Sequence, residues 1–93
     1  MTEAQFAAWL NEVAAVFHWD LRYHTYDSRH SAKGFPDEVF VRPPRMLVAE
    51  LKVGRREPTP EQKRWLLGLA AIPGLEVYVW WPDNRDQIER VLR

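Results

Sequence analysis

Two apolar runs, Met46-Leu47-Val48-Ala49 and Leu75-Glu76-Val77-Tyr78-Val79-Trp80-Trp81, lie on either side of the tetrapeptide Thr59-Pro60-Glu61-Gln62. That tetrapeptide is a helix start, with threonine at the N-cap, proline at the first helical position and glutamine where a capping box needs it. Trp65, Leu66, Leu69 and Ala70 are expected to form the buried stripe of the helix, and Pro73-Gly74 ends it. A strand, a helix and a strand in that order can pair in parallel through a right-handed crossover. The chain is therefore expected to be α/β, a mixed central sheet with helices packed on it.

The remaining segments complete this plan. Thr2 to Gln5 fits a capping box, after which Phe6, Leu10, Val13 and Phe17 fall on one helical face, flanked by Trp9, Ala14 and Val16. Residues 20 to 26 alternate Leu21, Tyr23 and Thr25 with Arg22, His24 and Tyr26, as in a strand with one half-polar face. A polar loop from Asp27 to Gly34 leads into a hairpin: Glu38 to Val41, a turn at Arg42-Pro43-Pro44-Arg45, then Met46 to Ala49. Pro82-Asp83 opens a closing helix with Ile88, Val91 and Leu92 turned inward. The expected order is α-β-β-β-α-β-α, one domain over residues 1–93.

With 93 residues, 46% of them apolar, the chain has material for one packed core. It has no cysteine, which excludes a disulfide framework or a thiolate metal site and fits a reducing cytoplasm. No secretory signal is expected at the start, and the apolar runs are far too short for a membrane span.

The chemistry concentrates around the hairpin. Asp37 follows Pro36 at the mouth of one strand, and Glu50 and Lys52, two apart on the next, project from the same face. Leu51 between them points into the core and leaves its backbone carbonyl as a further oxygen donor. Two carboxylates and a carbonyl make an oxygen-rich half-shell suited to Mg²⁺ or Mn²⁺. A lysine beside it can orient a water or offset charge on a phosphate, and together these suffice to cut a phosphodiester bond. The plain alternative is a surface hairpin with a salt bridge from Lys52 to Glu50 or Asp37. Against it stands the strand Met46–Ala49, apolar on both faces and so central, where a charged pair is costly to keep.

Net charge is zero, with thirteen basic and thirteen acidic residues, but residues 42–64 carry seven basic against three acidic, a local +4. Such a segment suits a phosphate backbone, as would an ordinary solvated loop. Arg29, Lys33, Arg55 and Arg56 are the candidate nucleic-acid contacts. Of the three histidines, His30 is best placed to touch a phosphate. His18 reads as packing at a helix end and His24 as hydrogen-bonded structure. Trp80 and Trp81 must face opposite sides of their strand, which leaves one exposed, at a subunit interface or available for base stacking.

Gly34-Phe35-Pro36-Asp37, Glu50-Leu51-Lys52 and Thr59-Pro60-Glu61-Gln62 leading into Trp65-Leu66 together resemble the VRR-NUC branch of the PD-(D/E)xK nucleases. The resemblance implies an αβββαβ restriction-endonuclease-like core and a Mg²⁺- or Mn²⁺-dependent endonuclease with no organic cofactor. It also implies a homodimer acting on branched DNA such as Holliday junctions, in a bacterial or phage-infected cell. By this likeness Asp37 and Glu50 are the metal-binding acids, Lys52 the catalytic lysine and Gln62 a supporting glutamine. Glu12 falls where relatives place an acidic residue near the metal. The rivals are a non-catalytic nucleic-acid-binding or assembly module that keeps the fold, and a nuclease acting on RNA.

Overall fold

The structure, a computed structural model, describes residues 1–25 and 31–93. Its elements are α1 (Glu3–Val16), β1 (Leu21–His24), β2 (Glu38–Arg42), β3 (Arg45–Leu51), α2 (Pro60–Ala70), β4 (Leu75–Trp80) and α3 (Arg85–Leu92). A single 3-10 turn at Pro82–Asn84 leads into α3. The sheet order is β1-β2-β3-β4, antiparallel at the first two pairings and parallel at the third. The α/β class, the mixed four-stranded sheet and the element order are as the sequence implied.

One face of the sheet carries the core. Phe40, Leu47, Ala49, Leu51 and Trp80 pack against Phe6, Leu10 and Ala14 of α1 and Ile88 and Leu92 of α3. Trp19 closes this core at the hairpin end, fully buried, with Nε1–H donating to the Leu92 carbonyl at 2.9 Å. The guanidinium groups of Arg42 and Arg45 lie over its ring at 4.5 and 4.8 Å. Arg42 also donates to the carbonyls of Phe17 and Leu92, so one cation serves the C-terminal ends of α1 and α3. At the sheet's β3–β4 edge, Arg45 grips Glu76 through two bonds of 2.8 and 2.7 Å.

Three sequence expectations give way. The buried face of α1 is Phe6, Leu10 and Ala14, with Val13 and Phe17 only half-buried, because the helix is rotated slightly on the sheet. His18 does not pack: it is exposed, with φ 65° in the left-handed position that ends the helix. In α2 only Leu66 is buried, while Trp65 and Ala70 are exposed, because this helix packs mainly along β4 and, among the described residues, nothing lies outside it.

Strand β1 inverts the usual polarity. Arg22 and His24 face α1, where Arg22 bonds Asn11 and the Trp19 carbonyl, while Leu21 and Tyr23 are exposed on the other face. Met46 is exposed on that same open face. An apolar patch thus lies uncovered beside α2.

Candidate active site

The site forms where the ends of β1, β2 and β3 meet the start of α2. Gly34 has φ +88°, and a Cβ on it would lie 2.6–2.9 Å from the backbone of Glu61 and Gln62. The loop therefore lies flat against the first turn of α2 because it has no side chain there. Two residues on, Pro36 is buried and its carbonyl accepts from Thr25 Oγ1 at 3.0 Å. Asp37 is clamped from both sides: its carbonyl accepts from the Thr25 N–H, and its Oδ2 accepts from the Leu51 N–H, each at 2.9 Å. The N–H and C=O of a strand residue point the same way. The Leu51 carbonyl thus opens on the same side as Asp37.

Glu50 is 1% exposed because β3 is central in the sheet and α2 begins above it. Its Oε2 accepts from Gln62 Nε2 at 2.8 Å and sits 3.2 Å from Lys52 Nζ. Gln62 thus serves two ends of one amide: the oxygen caps α2 at the Thr59 N–H, and the nitrogen holds the carboxylate. Glu50 Oε1 is buried with no hydrogen-bond partner among the described residues. Burial first, then the negative charge of Asp37, push the Glu50 carboxyl up to about 7 against the pull of the Lys52 ammonium.

The salt bridge between Lys52 and Glu50 is real, but it is buried and does not satisfy the carboxylate. A partnerless buried oxygen and a second carboxylate beside it are what a divalent cation would relieve, so the donor set fits Mg²⁺ or Mn²⁺. Among the described residues no three histidine, aspartate or glutamate side chains gather at metal-binding distance. The candidate donors are two carboxylates, Asp37 and Glu50, and the Leu51 carbonyl.

The α1 carboxylate near this site is not the one expected. Glu12 is exposed, whereas Glu3, about 13 Å earlier along the helix axis, lines a cleft with Ala4, Ala7, His24, Thr25, Asp37 and Leu51. The sequence reading also missed Glu38, which is fully buried and bonded to His24. Its spacing from Phe40 was the available signal, since residues two apart on a strand share a face.

Lys33, Arg55 and Arg56 are exposed; Lys33 lies 3.5 Å from Glu61, and the Arg56 carbonyl accepts from Trp81 Nε1 at 3.2 Å. Arg29 and His30 lie outside the described residues. Trp80 is buried and Trp81 half-buried, whereas Trp65 meets Phe35 edge-on and floors a groove of about 600 Å³ flanked by Lys33 and Arg64. Comparison with protein-family models, curated proteins and solved structures finds no match to this chain.

Replacing Gly34 by alanine will both strain the backbone and push α2 away from Glu50. A loss of about 1–3 kcal/mol in stability is expected, read as a lower urea midpoint at unchanged slope. An unaltered midpoint would show that the loop does not seat against α2.

Proposed function

We propose that this chain is a divalent-metal-dependent endonuclease that hydrolyses DNA phosphodiester bonds, a small member of the PD-(D/E)xK nucleases. The observation that carries the reading is the convergence of Asp37, buried Glu50 and buried Lys52 at the end of β3, with one Glu50 oxygen unpartnered among the described residues. A bound Mg²⁺ or Mn²⁺ supplies charge to offset that building on the phosphate, and acidity to activate water. Asp37, Glu50 and the Leu51 carbonyl would hold it. Lys52 orients the attacking water and stabilises the charged phosphate, and Gln62 fixes the carboxylate from the first turn of α2. Holding Glu50 away from solvent strengthens each of these interactions.

A preference for branched DNA follows from the resemblance rather than from any side chain. Two sites related by a dyad would cut both strands of a junction, and the open patch of Leu21, Tyr23 and Met46 gives a homodimer an apolar surface. The groove at Trp65, with Lys33 and Arg64 beside it, offers a strand both a ring and two cations.

The test is cleavage of labelled four-way junction, duplex, single-stranded DNA and RNA with Mg²⁺ or Mn²⁺, beside Lys52→Ala. Wild type should cleave DNA only with metal, and Lys52→Ala should be slower by at least about 100-fold. If both proteins bind DNA and neither cleaves any substrate, the chain is a binding module.

A further inference from the structure

Helix α2 carries two apolar faces. Leu66 turns inward and is buried, whereas Trp65, Leu69 and Ile72 line the groove of about 600 Å³, together with Glu61, Arg64, Gly68 and, from the preceding loop, Lys33. Residues 61, 65, 68 and 69 share one side of the helix because they are three, four and one apart, and Ile72 extends that side past its end. Gly68 is the odd member. It is exposed in the interior of α2, where glycine weakens a helix, and a Cβ placed on it would meet nothing within 4 Å. No packing among the described residues calls for it. What it provides is a notch: beside the Trp65 ring the groove comes down to the helix backbone, and a flat group can lie against it.

The rim is cationic. Lys33 and Arg64 stand against one carboxylate, Glu61, and the Lys33–Glu61 pair at 3.5 Å is exposed, so an anion can take its place at little cost. An indole, a glycine and a leucine under two cations suit a planar ring that carries negative charge beside it. A lipid tail, or the leucines of a second copy, would use the floor and leave the cations idle. Asp37, Glu50 and Lys52 lie outside the groove, but the pieces of chain that fix Asp37 and Glu50 also build it. Gly34, between Lys33 and Phe35, seats against Glu61 and Gln62; Phe35 meets the Trp65 ring at 5.1 Å and 78°, and Asp37 follows two residues later. On the helix, Glu61 lines the groove while its neighbour Gln62 holds Glu50. Trp65 lies three residues beyond Gln62, about 4.5 Å of helix rise.

We propose that this groove is a binding subsite for an unpaired base, which stacks on Trp65 over Gly68 while Lys33 and Arg64 hold its flanking phosphates. The proposal rests on the nuclease reading and narrows its substrate to DNA with an unpaired stretch beside the cleaved bond. In a duplex the bases stack on one another, and presenting one to the ring costs unstacking and unpairing. Phe35, set edge-on, makes the indole a fixed platform.

The experiment measures binding without metal, so that no cleavage intervenes, by the anisotropy of a labelled oligothymidylate and of the same oligomer built from abasic nucleotides. Wild type should bind the oligothymidylate more tightly than the abasic strand. Trp65→Ala should weaken the oligothymidylate about 5- to 100-fold and change the abasic strand little. Gly68→Ala should melt about 4–8 °C higher than wild type and still bind the oligothymidylate at least about 3-fold more weakly. A merely structural glycine does not give that combination, and this variant decides the matter where Trp65→Ala folds poorly. Unchanged affinity in either folded variant, equal weakening on both strands, or a Gly68→Ala variant that melts below wild type would overturn the subsite. If Trp65→Ala instead split a wild-type dimer in sedimentation and left oligothymidylate binding unchanged, the groove would be an interface between copies. Cleavage with Mg²⁺ of a duplex bearing an unpaired arm is read separately. An inert wild type with both losses of affinity intact would overturn the nuclease reading and leave the base contact standing, whereas a cleaving wild type with unchanged affinities in the variants would overturn the subsite alone.

Discussion

Glu50→Gln will flatten the dependence of stability on pH and remove the response to metal. In the wild type the folded-state pKa of Glu50 is raised from 4.5 to about 7, so between those values the folded chain binds more protons than the unfolded one. The stability contributed by that proton is fully present below about 4.5 and is lost as pH rises through about 7. The shift corresponds to about 3 kcal/mol, enough to lower the melting temperature by more than about 10 °C between pH 5 and pH 8. Glu38, also raised by burial, adds in the same direction, whereas Glu76, held down by Arg45, matters only at more acidic pH.

Mg²⁺ or Mn²⁺ should reverse the loss at pH 8, because the cation takes the place of the proton and favours the ionised pair. Glutamine has no charge to titrate and is a weaker ligand. Its melting temperature should fall less than that of wild type from pH 5 to pH 8, by what Glu38 alone contributes, and respond little to metal, and cleavage should fall by at least about 100-fold. Its absolute stability at pH 8 should stay near that of wild type, since the gain from removing one charge is offset by leaving Lys52 without its partner. Thermal melts at several pH values, with and without metal, measure all of this. A wild-type stability that holds level or rises from pH 5 to pH 8 would refute the account of Glu50.

The part of the site that could be read in the chain is the part written in strand alternation. Glu50 and Lys52 share a face because they are two apart, and both are buried because Leu47 to Leu51 run through the centre of the sheet. Gln62 was legible as a cap, but its bond to Glu50 depends on how closely α2 seats over β3, which Gly34 permits. The place of Glu3 and the partner of Glu38 were illegible for a different reason. Which α1 carboxylate meets Asp37 is set by the tilt of the helix on the sheet, and no local pattern encodes that angle. The pairing of Glu38 with His24 is a matter of register between β1 and β2, across a connection that carries no pattern of its own.

The fold was more legible than the faces of its elements. Caps at Thr2 and Thr59 located α1 and α2 closely, because capping boxes are local chemistry and both are formed. Hydrophobic periodicity misled in β1 and α2, where apolar side chains lie in the open. Periodicity reports which residues could be buried, while the number of layers decides which are. Among the described residues two helices lie on one face and one on the other, and Leu21, Tyr23, Met46 and Trp65 are left exposed.

Trp19→Ala will be among the most destabilising substitutions in the chain and will leave the chemistry almost untouched. The indole is fully buried between Phe40 and the guanidinium groups of Arg42 and Arg45, and it bonds Leu92 at the end of α3. Its removal opens a large cavity and strips both cations of their ring, a loss of about 3–5 kcal/mol. A domain of this size has only about 5–15 kcal/mol in total. Trp19→Phe keeps most of the apolar volume and should lose roughly half as much. The Leu92 carbonyl does not become orphaned in either case, because Arg42 also donates to it at 3.0 Å. Urea titration should therefore show a much lower midpoint for the alanine variant, and a loss under about 1 kcal/mol would mean that the core does not close over this ring. Phe40 and Arg42, which Trp19 touches, lie toward the hairpin end of β2, while Asp37 precedes its other end. At low temperature, where the alanine variant is still folded, its metal-dependent cleavage rate should equal that of wild type, the converse of Glu50→Gln, which keeps the fold and loses the reaction.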